Sequence, residues 1–277
     1  MLGMVLVHPD QKVVIPLCPE PIVRQDGLKK NDGERSATRR ALEHFRREHP
    51  LLKVILIEDA LSANAPHLDD LKRFNIRYLI GIKPGSHVHL FEQMQRAALE
   101  QRAQTHMLED HGTVHKFRWL ADAELNLSHP DHQVTMLEYG ETSPTGPPRQ
   151  FSWITDQTVT AENVFLLMRG GRARWQIENE TLNTLKNQGY HFEHNFGHGE
   201  RHLSVVMALL MMLAFLVDQV QQLCDPVFQA LLKKMKQKCR LWQRIRGTFE
   251  CFHLTSFRQL HEFLLHFTHA QPLPNTS

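Results

Sequence analysis

Residues 53–59, Lys-Val-Ile-Leu-Ile-Glu-Asp, constrain the fold more than any other stretch of this chain. Four consecutive apolar residues, Val54, Ile55, Leu56 and Ile57, predict a strand buried on both faces, as in a parallel or mixed central sheet. The run closes on Glu58 and Asp59. Carboxylates at the carboxyl end of such a strand stand where open α/β sheets build their sites. Side chains alternate along a strand, so only one of the two can face a given side. A small-residue loop follows, with Asn64 placed to cap a helix and Pro66 in its first turn. That helix is expected from about 66 to 74. Arg77-Tyr78-Leu79-Ile80-Gly81-Ile82 is the next strand, ended by Lys83-Pro84-Gly85. Strand, helix and strand in this order predict a parallel crossover. On these residues alone, Asp59 and Lys83 read as ordinary strand-end and turn residues.

Upstream, residues 4–7 and 13–17 are β-rich runs joined by His8-Pro9-Asp10-Gln11-Lys12, which predicts a hairpin. A helix is expected over 34–48. Arg35, Arg39, Arg40, Arg46 and Arg47 make it basic. A solvated face explains these charges most simply, and contact with a DNA backbone is the sharper alternative.

Downstream, a polar helix is expected over 87–104, then strands over 113–120, 133–139 and 150–154. His129-Pro130-Asp131 and residues 143–148 mark the connections. Trp119 and Trp153 fit core or cross-strand packing, with base stacking as the alternative. Thr160 is expected to cap a short helix to Met168, which Arg169-Gly170-Gly171 would break.

The chain has 277 residues and a net charge of only +2, so any nucleic-acid binding must use local patches. Cys18, Cys224, Cys239 and Cys251 are scattered, without a Cys-x-x-Cys, as expected of core thiols in a reducing, cytoplasmic compartment. The longest apolar run, 205–217, falls short of the ~20 residues that cross a bilayer. A core helix over 203–224, buried against the sheet, is expected instead, with no membrane partner. His191, His194, His198 and His202 raise a zinc site. Gly197 and Gly199 interrupt any shared helical face, and no Cys or carboxylate is an obvious partner at ligand spacing, so these residues are expected to shape a loop beside the site or to touch DNA. The tail is basic over 233–246, amphipathic around Phe257, Leu260, Phe263 and Leu264, and frayed over 271–277.

Residues 172–186, Arg-Ala-Arg-Trp-Gln-Ile-Glu-Asn-Glu-Thr-Leu-Asn-Thr-Leu-Lys, contain no internal Gly or Pro and predict one helix. Trp175, Leu182 and Leu185 would form its buried stripe. Arg174 and Glu178 are i,i+4 and would share a face, with Lys186 two turns on. A surface ion pair is the plain explanation; a carboxylate for a metal beside cations for a phosphate is the sharper one.

Arg-Trp-Gln-Ile-Glu followed by a lysine resembles the Tyr-x2-Arg-x3-Glu-x6-Lys signature of bacterial insertion-sequence transposases of the DDE class, in the group typified by the fourth-numbered insertion sequence. Gly171 stands at the tyrosine position, and seven residues rather than six separate Glu178 from Lys186. Gly189-Tyr190-His191 and residues 194–199 resemble a subset of the same group. The resemblance runs from the first strand to about Cys224. It implies an RNase H-like mixed sheet flanked by helices, with a β-rich insertion and a helical C-terminal extension. Its segments would be 1–104 for the first part of the core, 105–158 for the insertion, 159–224 for the last catalytic and core helices, and 225–277 for the basic tail.

The resemblance also implies Asp59 and Glu178 as catalytic metal ligands for a pair of Mg²⁺ or Mn²⁺ ions, and Arg174 and Lys186 as phosphate contacts. Transposon ends and target DNA would be the partners, with a homodimer in the synaptic complex. The family's first aspartate belongs in a first strand. Asp10, Asp26 and Asp32 all lie in turns or polar loops. The expectation is an N-terminally truncated transposase lacking that strand and catalytically incomplete. The alternative is a non-catalytic DNA-binding or oligomerising remnant that modulates an intact enzyme. A His-metal hydrolase is the remaining class.

Overall fold

A computed structural model describes residues 1–22, 33–197, 202–266 and 271–272. Asp26, Asp32, His198 and the end of the tail lie outside the described residues. The chain forms two compact units, Thr38–Arg174 and, together, Met1–Ala37 and Trp175–Ser277. The first is built on a mixed sheet with flanking helices and the second is mainly helical.

The N-terminal hairpin, β1 (Val5–His8) with β2 (Gln11–Pro16), is antiparallel, as expected. Helix α1 (Glu34–Glu48) has the expected ends. In the sheet unit, β3 (Ile55–Glu58), a 3₁₀ turn (Ala60–Ser62), α2 (Ala65–Arg73) and β4 (Arg77–Gly81) make the parallel crossover. Asn64 caps α2 by accepting from the His67 amide, and a proline occupies its first turn. After α3 (Val88–Leu99) come β5 (Gln104–Asp110), β6 (Thr113–Asn126), β7 (His129–Thr142) and β8 (Arg149–Thr155). All six strands join one mixed sheet in the order β3-β4-β8-β7-β6-β5, with only β3 and β4 parallel.

Three expectations change here. Strand β3 is not central: it lies at the sheet edge, and Ile55 is 43% exposed. The doubly buried strand is β4, paired on both sides, with Tyr78, Leu79 and Ile80 in the core. The helix expected to reach 104 ends at Leu99, because residues 104–110 pair with β6. His111 and Gly112 turn that hairpin with φ of 47° and 76°. Two successive left-handed residues suit the right-handed twist of the strands they join. His129, Pro130 and Asp131 belong to β7, where the register with β6 is shifted, rather than to a turn. Proline is tolerated at such a strand start.

Trp119 and Trp153 are core residues, each 4% exposed. They pack with Leu79, Leu137 and Tyr139 against Val164, Leu167 and Met168 of α4 (Val164–Arg172). Glycines 170 and 171 do not break this helix. A Cβ on Gly171 would fall 2.6 Å from Trp153 Cε2, so the missing side chain is what lets α4 lie on the sheet. Arg172 then anchors the end of α4 by donating to Glu141 at 2.6 Å. Burial pushes the Glu141 carboxyl up, but the Tyr139 hydroxyl and the Arg172 and Arg149 guanidiniums outweigh it and hold the group below its ordinary value.

Of the α1 arginines, Arg39 pairs with Asp70 at 2.9 Å. Arg46 is structural: its guanidinium donates to the carbonyls of Phe74, His49, Pro50, Leu52 and Asn75 at 2.9–3.3 Å. One planar fork thus gathers carbonyls from the segments that follow two helices. Arg46→Lys is expected to cost about 1–2 kcal/mol, since an ammonium cannot address five acceptors at once. A denaturant midpoint equal to wild type would show that water replaces the fork at no cost.

In the helical unit the single helix expected over 172–186 is interrupted. Ala173 and Arg174 form a turn, Ile177–Leu182 is a π-helix, and α5 spans Asn183–Asn187. The Asn183 amide donates to the Glu178 carbonyl, five residues back. Wider winding changes which residues share a face. Of the predicted stripe only Leu185 is buried; Trp175 and Leu182 are exposed, while Thr181 and Thr184 turn inward. Gln176 clamps this segment to the hairpin by donating to the carbonyls of His8 and Gln11 at 3.2 and 3.1 Å.

Helices α6 (Leu203–Cys224), α7 (Pro226–Met235), α8 (Lys238–Cys251) and α9 (Phe257–His266) follow, with a short pair of β9 (Phe252–His253) and β10 (Gln271–Pro272). Phe228, Leu231, Leu241, Ile245, Leu260 and Leu264 form one core. Val14, Leu185, Tyr190, Met212 and Phe215 form another. Helix α6 is not the fully buried helix expected: only Met212, Phe215, Asp218 and Gln219 are buried. It extends beyond the 205–217 run, and its 22 residues are long and apolar enough to cross a membrane by length and composition. Part of the basic tail is structural. Lys234 donates to the carbonyls of Leu264 and Leu265 at the end of α9, and Arg246 to that of Gly189.

Candidate active site

Asp59 follows β3 directly and is exposed. Its Oδ1 accepts from the Leu61 amide at 3.0 Å, capping the 3₁₀ turn. This bond holds the carboxylate at the carboxyl end of the parallel pair. The neighbouring strand lies in ordinary contact with it: a Cβ on Gly81 would stand 3.6 Å from the Glu58 carbonyl and 3.9 Å from Asp59 Cα. Glu58 points elsewhere, as alternation requires, and its Oε2 lies 2.5 Å from Nε2 of His67 on α2. Glu58 is thereby committed to joining β3 with α2. His87 closes the other side, with hydrogen bonds to the backbone of Ala63 and Lys83. Burial holds its imidazole below the ordinary value, partly offset by those two bonds. Neither histidine was marked as a site residue by sequence. Nine residues separate Glu58 from His67, and only the packing of α2 on β3 brings them together.

Glu178 is the second residue of the π-helix and is exposed. π-Helical turns recur at functional positions because they rotate one side chain out of the α-helical phase. Arg174 lies in the turn before it, so the one regular helix expected to carry both residues is interrupted between them. Lys186 pairs with Glu193 at 2.7 Å.

Behind the π-helix sits a polar cluster that the sequence did not suggest. Tyr190 donates to Oδ2 of the buried Asp218, and Lys238 Nζ lies 5.6 Å from the centre of the Phe215 ring. Burial pushes the Asp218 carboxyl up, against the pull of Tyr190 and Lys238. Burial pushes the Lys238 ammonium down, against Asp218 and Glu180. The cluster fixes α6, α8 and the Tyr190 loop to one another.

Among the described residues, no three His, Cys, Asp or Glu side chains converge where a metal ion could be held. Asp59 and Glu178 belong to separate compact units. Each of the two presents a single exposed carboxylate. Comparison with protein-family models gave no match, and comparison with curated proteins gave none that is significant.

Proposed function

We propose that this chain is a DNA-processing polypeptide of the DDE transposase type, with an RNase H-like core. The observation that carries the reading is Asp59: it is capped in place at the carboxyl end of a parallel β3-α2-β4 crossover. In open α/β sheets that is where reacting groups are presented. Glu178 in its Arg-Trp-Gln-Ile-Glu context supports the same reading. The other edge of β3 is unpaired among the described residues. A further parallel strand on that edge would end level with Asp59, and a carboxylate there would complete the ligand set. The roles proposed for this chain are metal ligation by Asp59 and Glu178 and phosphate contact by Arg174 and Lys186. The second reading is a DNA-binding remnant without strand cleavage.

The test is nicking and retention of a duplex carrying the DNA that flanks the chain's own gene, with Mg²⁺ or Mn²⁺ added. Under the first reading the duplex is nicked once a strand carrying a further carboxylate is supplied on the open edge of β3, and Asp59→Asn and Glu178→Gln each then reduce nicking to background while leaving retention intact. Salt-sensitive retention without nicking, equal in wild type and both variants, selects the remnant. A chain that neither nicks nor retains DNA at low salt defeats both.

A further inference from the structure

We infer that two copies of this chain pair through the outward face of α6. This stands on the helix itself and not on the DNA-processing reading. Leu203, Val206, Leu210, Leu213, Val217 and Val220 are spaced alternately three and four residues apart, and Cys224 continues the series. The six are each 44–55% exposed. A strict three-four alternation averages 3.5 residues per turn, the period of a seam that meets another helix along its whole length. A helix packed only on its own core needs no such alternation on the opposite side.

The chemistry of the face selects its occupant. Asp218 is the only charged residue in α6, and it is turned inward to Tyr190. No charge flanks the seam to repel an identical helix, and none is present to choose a partner of opposite sign. The size fits as well. Half-exposed side chains along three heptads present on the order of 500 Å² per copy, comparable with the largest apolar patch of an ordinary monomer. Pairing two copies removes about 1,000 Å², the area at which a specific interface becomes credible. A bilayer suits the face less well. Asp218 and Gln219 are tied to Tyr190 and to the Val14 amide on the reverse side, so α6 cannot enter lipid without carrying these polar groups and β2 with it.

The test uses the full chain at micromolar concentration. Sedimentation velocity is expected to give a dimer for wild type and a monomer for Leu210→Glu/Leu213→Glu, with the same far-ultraviolet circular dichroism. Leu213 lies at the middle of α6, so a cysteine there meets its twin whether the helices run parallel or antiparallel. In a background with Cys18, Cys224, Cys239 and Cys251 changed to serine, Leu213→Cys should cross-link under mild oxidation. A cysteine at the exposed Leu166 should not. The inference fails if wild type is monomeric, if the double glutamate variant remains a dimer, or if Leu213→Cys cross-links no better than Leu166→Cys. It also fails if the monomer floats with phosphatidylcholine vesicles, which would make lipid the occupant.

Discussion

Replacing Asp218 with alanine is expected to lower the stability of the helical unit by about 3 kcal/mol. Three effects act in the same direction. The Tyr190 hydroxyl, buried behind α6, loses its acceptor. An unsatisfied buried donor costs about 1–3 kcal/mol. The largely buried Lys238 ammonium loses the carboxylate that offsets its desolvation, and a buried charge without its partner is worse than no charge. A cavity adds to both. Asp218→Asn should cost less, because an amide oxygen still accepts from Tyr190. The pH dependence has a definite sign. In the unfolded chain Asp218 titrates near 3.8, and in the folded chain it holds its proton to higher pH. The folded state then binds more protons above pH 3.8, so this group makes stability fall as pH rises through that interval. Lys238 acts oppositely. Its folded pKa lies below 10.5, the unfolded chain binds more protons just below that value, and stability rises with pH there. Urea unfolding across a pH series, read by fluorescence of Trp242 beside Tyr190, should show the fall just above pH 3.8 flatten in Asp218→Asn. An Asp218→Ala midpoint within error of wild type would mean that water, not Tyr190 and Lys238, solvates this carboxylate.

That cluster marks the limit of what the sequence makes legible. Local signals are written in adjacent residues: Asn64 and Pro66 at the start of α2, the β1–β2 hairpin, the two ends of α1, and Asp59 closing an apolar run. Each depends on propensity or capping within a few residues. Asp218 and Tyr190 stand 28 residues apart, and nothing local announces that one will bury the other. The π-helix is hidden for a different reason. Its five-residue hydrogen bonds leave no mark on composition, and residues 177–182 are ordinary helix formers, so side-chain periodicity was projected at 3.6 residues per turn onto a segment that winds more widely. Burial of β3 was overestimated because apolar content does not tell an edge strand from a central one. The outward face of α6 was missed because hydrophobicity reports what could be buried, not what a given set of neighbours covers.

Gly171→Ala is expected to destabilise the sheet unit by about 2 kcal/mol, against the usual sign of that substitution in a helix. Alanine is favoured over glycine in helix interiors by about 1 kcal/mol, and Gly171 lies within α4. Here the added methyl would stand 2.6 Å from Trp153 Cε2 and 2.7 Å from Nε1. The indole cannot swing aside: it is buried and stacks on Phe151 at 5.8 Å with an interplanar angle of 7°. Either α4 lifts from the sheet or the tryptophan leaves its rotamer, and overpacking of this kind costs about 1–3 kcal/mol. A larger side chain meets the same obstacle, so Gly171→Tyr alone should prevent the sheet unit from folding. Trp153→Phe alone should cost stability through the space it leaves. Combined with Gly171→Ala, that space receives the new methyl, and the double variant should be more stable than the sum of the two single losses by 1 kcal/mol or so, as coupled neighbours require. Thermal or urea unfolding of the four proteins closes the cycle. Additive losses, or a Gly171→Ala chain more stable than wild type, would place Trp153 away from α4 and remove the explanation for the glycine.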